Sequence, residues 1–161
     1  MRIEAVVVNA SPLITLFRSG QADLLPRLFS RIVIPEAVWQ EVVVAGRDDA
    51  AARELGAPSW PIRQAVVPSP RVEIWNLGAG ETAVLSYALA NSGVRAMVDD
   101  ADARRCARTL GIPLLGTGGL LLLAKRRGQL PSVAEGLAKL RGAGLWLSDD
   151  LVRLLTTQAG E

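Results

Sequence analysis

Oxygen-bearing side chains recur where short apolar runs give way to helix-like segments. Asn9 follows IEAVVV, Glu41 sits in PEAVWQEVVVAG, Glu81 opens GETAVLSYALA, and Asp99, Asp100 and Asp102 follow RAMV. Carboxylate and amide oxygens are hard ligands that suit Mg²⁺ or Mn²⁺. With no histidine and one cysteine, Cys106, the chain offers neither a zinc cluster nor a Ser/His nucleophile pair. A divalent ion held by such acids can polarise a phosphate oxygen and acidify a water, so the chemistry these residues point to is hydrolysis of a phosphodiester.

Each candidate also has a plainer reading. Glu81 near a helix start is favourable there without doing chemistry, and Asp99, Asp100 or Asp102 can cap the helix that enters ARRCART. An isolated Glu41 on an amphipathic helix is ordinarily solvent-facing. Asn9 and Ser11 read as caps of a helix with Pro12 at its first position, where the missing amide hydrogen costs nothing.

The segments that would position these residues alternate. IEAVVV (3–8), RIVIP (31–35), RAMVD (95–99) and IPLLG (112–116) are short apolar runs expected to form strands, RIVIP with a buried approach to the next helix as its alternative. Helices are expected over PLITLFRSG, ADLLPRLFS, PEAVWQEVVVAG, residues 48–56, 81–90, ADARRCARTLG and TGGLLLLAKRRG. Two more follow in the tail, the second capped by Ser148 with Asp149 and Asp150 in its first turn. Four prolines, Pro58, Pro61, Pro68 and Pro70, make residues 57–70 read as a connector, and VEIWNL (72–77) reads as an edge strand or extended approach. Strand and helix alternating at this spacing predict an α/β fold with a central parallel sheet flanked by helices, in which loops after the strand ends form the ligand crevice.

The chain has 161 residues, the length of one domain, and seven aromatic residues, so its core must come mainly from Leu, Val, Ile and Ala. Net charge is only +2, but its distribution is uneven. Residues 104–141 carry eight basic side chains against the single acid Glu135. Arg104, Arg105, Arg108, Lys125, Arg126 and Arg127 are therefore candidate contacts for an RNA backbone, with a solvated arginine face as the alternative. GTGGLLLLAK lacks the order of a P-loop, and its apolar run is far too short for a membrane span. The amino terminus lacks a signal-peptide layout, and the single cysteine fits a reducing, cytoplasmic setting.

The order VVVNASPLITL, VIPEAVWQEV, GAGETAVLSYAL and VDDADARRCARTLGIPLLGTGGLLLLAKRRG resembles the PIN domain superfamily, most closely its DUF3368 branch, whose members look like VapC-type toxin ribonucleases. The resemblance implies a three-layer sandwich in a single PIN-like domain over 1–161, with 132–161 as a C-terminal helical extension. It also implies endoribonuclease activity with Mg²⁺ or Mn²⁺, a small antitoxin partner and a homodimer. Carried over residue by residue, it makes Asn9, Glu41, Glu81 and Asp100 the metal ligands and Glu41, Glu81, Asp100 and Asp99 the catalytic acids, Asp99 being the alternative register for Asp100. Asn9 stands where the superfamily commonly has an aspartate, which removes one negative charge from the site. A non-catalytic RNA-binding or protein-interaction module is the alternative function.

Overall fold

The structure is a computed structural model that describes residues 4–161. Its centre is β1 (Ala5–Val8), in which Val6, Val7 and Val8 are fully buried. Burying one such side chain is worth about 1.5–3 kcal/mol, so this tetrapeptide is a strong organising element for its size. Ile3, where the strand was expected to begin, lies outside the described residues.

β1 pairs with β2 (Arg31–Pro35) on one side and β4 (Val94–Met97) on the other, placing Val7 against Val33 and Val8 against Met97. β3 (Pro61–Gln64) and β5 (Leu114–Leu115) complete a five-stranded sheet in the order β3-β2-β1-β4-β5. Every pairing is parallel, as near-continuous apolar strands buried on both faces require.

Helices flank the sheet. α1 (Ala10–Arg18) and the short α2 (Leu24–Leu28) follow β1, and α3 (Glu36–Trp39) follows β2 and runs directly into a π turn, Gln40–Val44. α4 (Ala50–Glu54) packs on α1 and the π turn. α6 (Ala79–Ala90) lies against β1, β2, β4 and α3, and α7 (Ala101–Thr109) follows β4. α8 (Thr117–Arg126), α9 (Val133–Gly142) and α10 (Asp149–Gln158) pack on one another, α9 also touching α1. The cap expected at Ser148 is present, its hydroxyl accepting from the Leu151 amide. The buried side chains are largely Leu, Val, Ile and Ala, with Phe29 the one buried aromatic residue among those described.

Three local expectations need correction. The proline-rich segment contains β3, because Pro61 stands at the first residue of an edge strand, where proline is tolerated. Residues 72–77 are not extended: Pro70 starts α5 (Pro70–Glu73), Val72 is buried, and Asn76 turns the chain at φ 53°. Helix α1 starts at Ala10, so Pro12 falls within its first turn rather than at its first position. Asn9 occupies the cap position without its side chain making a cap hydrogen bond.

Candidate active site

The parallel strands deliver Asn9 and the Asp99–Asp100 pair to the same edge of the sheet. The Asn9 amide donates to the Met97 carbonyl at 3.1 Å, which fixes the first residue after β1 beside the last residue of β4. Asn9 is only 5 % exposed, and its Oδ1 is buried with no hydrogen-bond partner. A buried carbonyl oxygen left unpaired ordinarily costs about 1–3 kcal/mol.

Glu41 reaches this point from the π turn. Its Oε1 accepts the Gly80 amide at 3.0 Å, at the unpaired amino end of α6. A Cβ on Gly80 would stand 2.6 Å from Glu41 Oε1 and 3.1 Å from Asn9 Oδ1. The absence of a side chain at residue 80 is therefore what lets the two oxygens approach the helix end together. π turns interrupt helices frequently at functional sites, and this one carries the acid that the sequence placed on an ordinary amphipathic helix.

Glu81 is the next residue, with Oε2 accepting from the Gly78 amide at 3.3 Å. Burial pushes its pKa up, and the nearby charge of Asp100 adds to the rise; the Gly78 amide works against it, while Glu41 and Asp102 raise it further. Glu81 thus feels three other carboxylates across the edge. Among the described residues, however, no group of three or more His, Cys, Asp or Glu side chains closes into a ready ligand shell. The carboxylates influence one another through charge rather than by closing on one point, and the neutral, buried Asn9 occupies the innermost position.

Asp100 is exposed and caps α7, its Oδ2 accepting from the Ala103 amide at 3.0 Å, while Oδ1 has no hydrogen-bond partner among the described residues. Asp99 is committed elsewhere: Oδ1 accepts the Thr117 amide at 3.0 Å and Oδ2 the Thr117 hydroxyl, so both oxygens clamp the start of α8. Asp102 pairs with Arg105 on the exposed face of α7.

A cleft of about 460 Å³ opens over Asn9, Glu41 and Glu81 and is also lined by Ser11, Arg18 and Arg47. Asp99 lines a separate, more apolar cleft with Arg104 and Trp146. The basic residues singled out from the sequence divide between sheet edges. Arg104 donates to the Val98 carbonyl at 3.0 Å near the acids. Lys125, Arg126 and Arg127 close α8 at the opposite end, where Arg127 holds Glu4 ahead of β1 and Lys125 holds Glu161. Arg108 and Arg126 make no ion pair among the described residues.

A family model described as DUF3368, a PIN domain, matches residues 5–161. The chain belongs to this PIN-domain family. PIN domains are generally nuclease-like and typically use divalent metals. No curated protein matches the chain closely enough to add a more specific relative. In this PIN domain the donor set at the strand ends fits such an ion: every candidate donor is oxygen, and the buried Oδ1 of Asn9 lacks the partner that a cation would provide. No helix among the described residues is long and apolar enough to cross a membrane.

Arg18, Arg47 and the anchoring role of Thr117 carry no signal of their own in the sequence. Arg18 and Asp49 are separated by 31 positions and meet only through the packing of α1 on α4. Thr117 stood in view within GTGG, but its buried hydroxyl becomes informative only when Asp99 is seen opposite it.

Proposed function

We propose that this PIN domain is a metal-dependent endoribonuclease that hydrolyses RNA phosphodiester bonds, with Mg²⁺ or Mn²⁺ held by Asn9, Glu41, Glu81 and Asp100. The observation that carries the reading is the unpartnered, buried Oδ1 of Asn9 beside the Glu41 carboxylate at the amino end of α6. A bound divalent cation supplies Lewis acidity to a phosphodiester and makes an associated water a stronger acid.

The chain's own residues prepare that site. Gly80 fixes one oxygen of Glu41, so the carboxylate is oriented before any ligand arrives. Glu81 adds a second charge in a half-buried setting, where burial and the neighbouring carboxylates disfavour its ionised form despite the Gly78 amide, and a cation would relieve this. Asp100 contributes its unbonded oxygen from a backbone fixed by capping, and Asp99 supports it by pinning the same loop to Thr117. Asp99 is thus a positioning residue in this reading, although the resemblance made it a candidate catalytic acid.

The order of motifs shared with VapC-type proteins supports a biological role as the toxin of a type II toxin-antitoxin pair. A non-catalytic RNA-binding module is the competing reading, favoured by the neutral Asn9 and by carboxylates that do not close into a shell.

The test is incubation of a mixed single-stranded RNA pool with purified protein in Mg²⁺, Mn²⁺ or chelator, beside Glu81→Ala and Asp100→Ala. Cuts that need metal and vanish in both variants are expected. A folded protein that binds RNA and cuts it in neither metal overturns catalysis and leaves the binding module. Inhibition of cleavage by a small protein co-expressed from a neighbouring reading frame tests the toxin role.

A further inference from the structure

The acidic cleft has a basic wall. Arg18 ends α1 and Arg47 lies in the connector after the π turn, and both line the cavity that holds Asn9, Glu41 and Glu81. Their guanidinium groups converge on one acceptor. Arg18 Nη2 donates to Asp49 Oδ2 at 3.2 Å, and Arg47 Nη2 donates to the same oxygen.

Asp49 is well placed to hold them still. Its side chain is 13 % exposed, and its other oxygen caps α4 by accepting the Ala52 amide at 3.0 Å. Arg18 and Arg47 keep 45 % and 34 % exposure, and each has five N–H donors, of which Asp49 uses a minority. Two guanidinium charges against one carboxylate leave a net positive wall beside a negative floor.

A single phosphate would gain from the wall but be repelled by acids without a cation. A polyanion with phosphates at regular spacing can satisfy both. We propose that Arg18 and Arg47, held in place by Asp49, bind a backbone phosphate of single-stranded RNA next to the phosphate that lies over Asn9, Glu41 and Glu81. This inference rests on the ribonuclease reading and adds to it the side from which the strand enters. The guanidinium fork matches phosphate oxygens in a way that a lysine point charge does not, so the pair fixes strand register without reading base sequence.

The experiment is a salt titration of oligouridylate binding in chelator, where cleavage does not interfere. Wild type is compared with the double variants Arg18→Gln/Arg47→Gln and Arg18→Lys/Arg47→Lys and with the two single glutamine variants. Neutralising one phosphate contact on a single strand is expected to reduce the slope of log affinity against log salt by about 0.7. The double glutamine variant should show that loss, while the double lysine variant retains the slope with weaker binding.

A double glutamine variant that is folded, binds RNA and keeps the full wild-type slope overturns the proposal. Should that variant unfold, the single variants decide: unchanged affinity and slope in both also overturn it. Failure of wild type to bind RNA both in chelator and in Mg²⁺ is a different result, since it removes the ribonuclease reading together with this one.

Discussion

Gly80 holds two otherwise unrelated requirements in one residue. Within a helix, alanine is ordinarily more favourable than glycine by about 1 kcal/mol. Here an added Cβ would meet Glu41 Oε1 at 2.6 Å and Asn9 Oδ1 at 3.1 Å, and the first of these is the far end of a flexible, exposed side chain. Gly80→Ala is therefore expected to fold at least as stably as wild type while displacing the Glu41 carboxylate. The predicted outcome is an unchanged or higher melting temperature together with a loss of Mn²⁺ affinity of about tenfold or more, read by calorimetric titration. Unchanged Mn²⁺ affinity in the folded variant would remove Glu41 from the site. Thr117 poses the complementary case, where one buried hydroxyl serves position rather than chemistry. Thr117→Val keeps the shape and the amide bond but leaves Asp99 Oδ2 without its donor. The expected cost is about 0.5–1.5 kcal/mol in urea unfolding, the usual net worth of a hydrogen bond, because the half-buried Asp99 carboxylate can turn to water instead. Neither consequence was legible in the sequence, because each arises from a contact between residues 18 or more positions apart.

At the scale of elements, small residues decide how the last helices seat. A Cβ on Gly136 of α9 would lie 2.9 Å from both Gln21 Oε1 and Leu121 Cδ1, so α9 approaches α8 and the turn after α1 more closely than alanine permits. Gly142 at the end of the same helix has nothing within 4 Å. Helix propensity alone predicts that both alanine substitutions stabilise. Packing predicts opposite signs: Gly136→Ala should destabilise by about 1–3 kcal/mol from overpacking, and Gly142→Ala should stabilise by up to about 1 kcal/mol. Chemical denaturation of the two variants side by side checks this, and equal shifts of either sign would mean that α9 seats loosely. The existence of these helices was readable from caps such as Ser148 and from apolar spacing, and the parallel sheet from runs like AVVV, because those signals are local. The edge strand at Pro61 and the helix at Pro70 were not. Proline restricts backbone conformation in the same way in both, and only pairing with β2 in one case and burial of Val72 in the other determines the outcome. The carboxyl edge of the sheet carries both the end of β1 at Asn9 and the loop at Asp100, as the strand pattern implied, but sequence alone could not tell that Lys125–Arg127 would end at the far edge.

Across the whole molecule, two carboxylates far apart in the chain act as clasps, and they make stability depend on acid in a defined window. Glu36 at the start of α3 accepts both arms of Arg63 from the edge strand β3, whose guanidinium also covers the Trp39 ring at 4.9 Å. Arg63, and then Gln40, hold the Glu36 pKa down to about 2. Glu161 accepts the Ala134 and Val133 amides at the start of α9 and pairs with Lys125 of α8, so its side chain joins the end of the chain to two helices. Those amides, then Lys125, bring its pKa to about 2, with burial working against them. A carboxylate with a folded pKa below its unfolded value of about 4.3 contributes stability that is fully present above that value and lost as pH falls towards the folded pKa. Stability should therefore decline between about pH 4.5 and pH 2. Glu161→Gln keeps an acceptor for one amide but cannot carry the charge that Lys125 and the helix end favour. It is expected to lower the urea midpoint at pH 7 and to flatten the decline below pH 4.5, since one of the groups that titrate there is gone. Parallel wild-type and variant curves over that range would show that the Glu161 clasp contributes nothing to folding, and would leave the acid sensitivity to Glu36 and to Asp49, whose carboxyl is also held below its ordinary value.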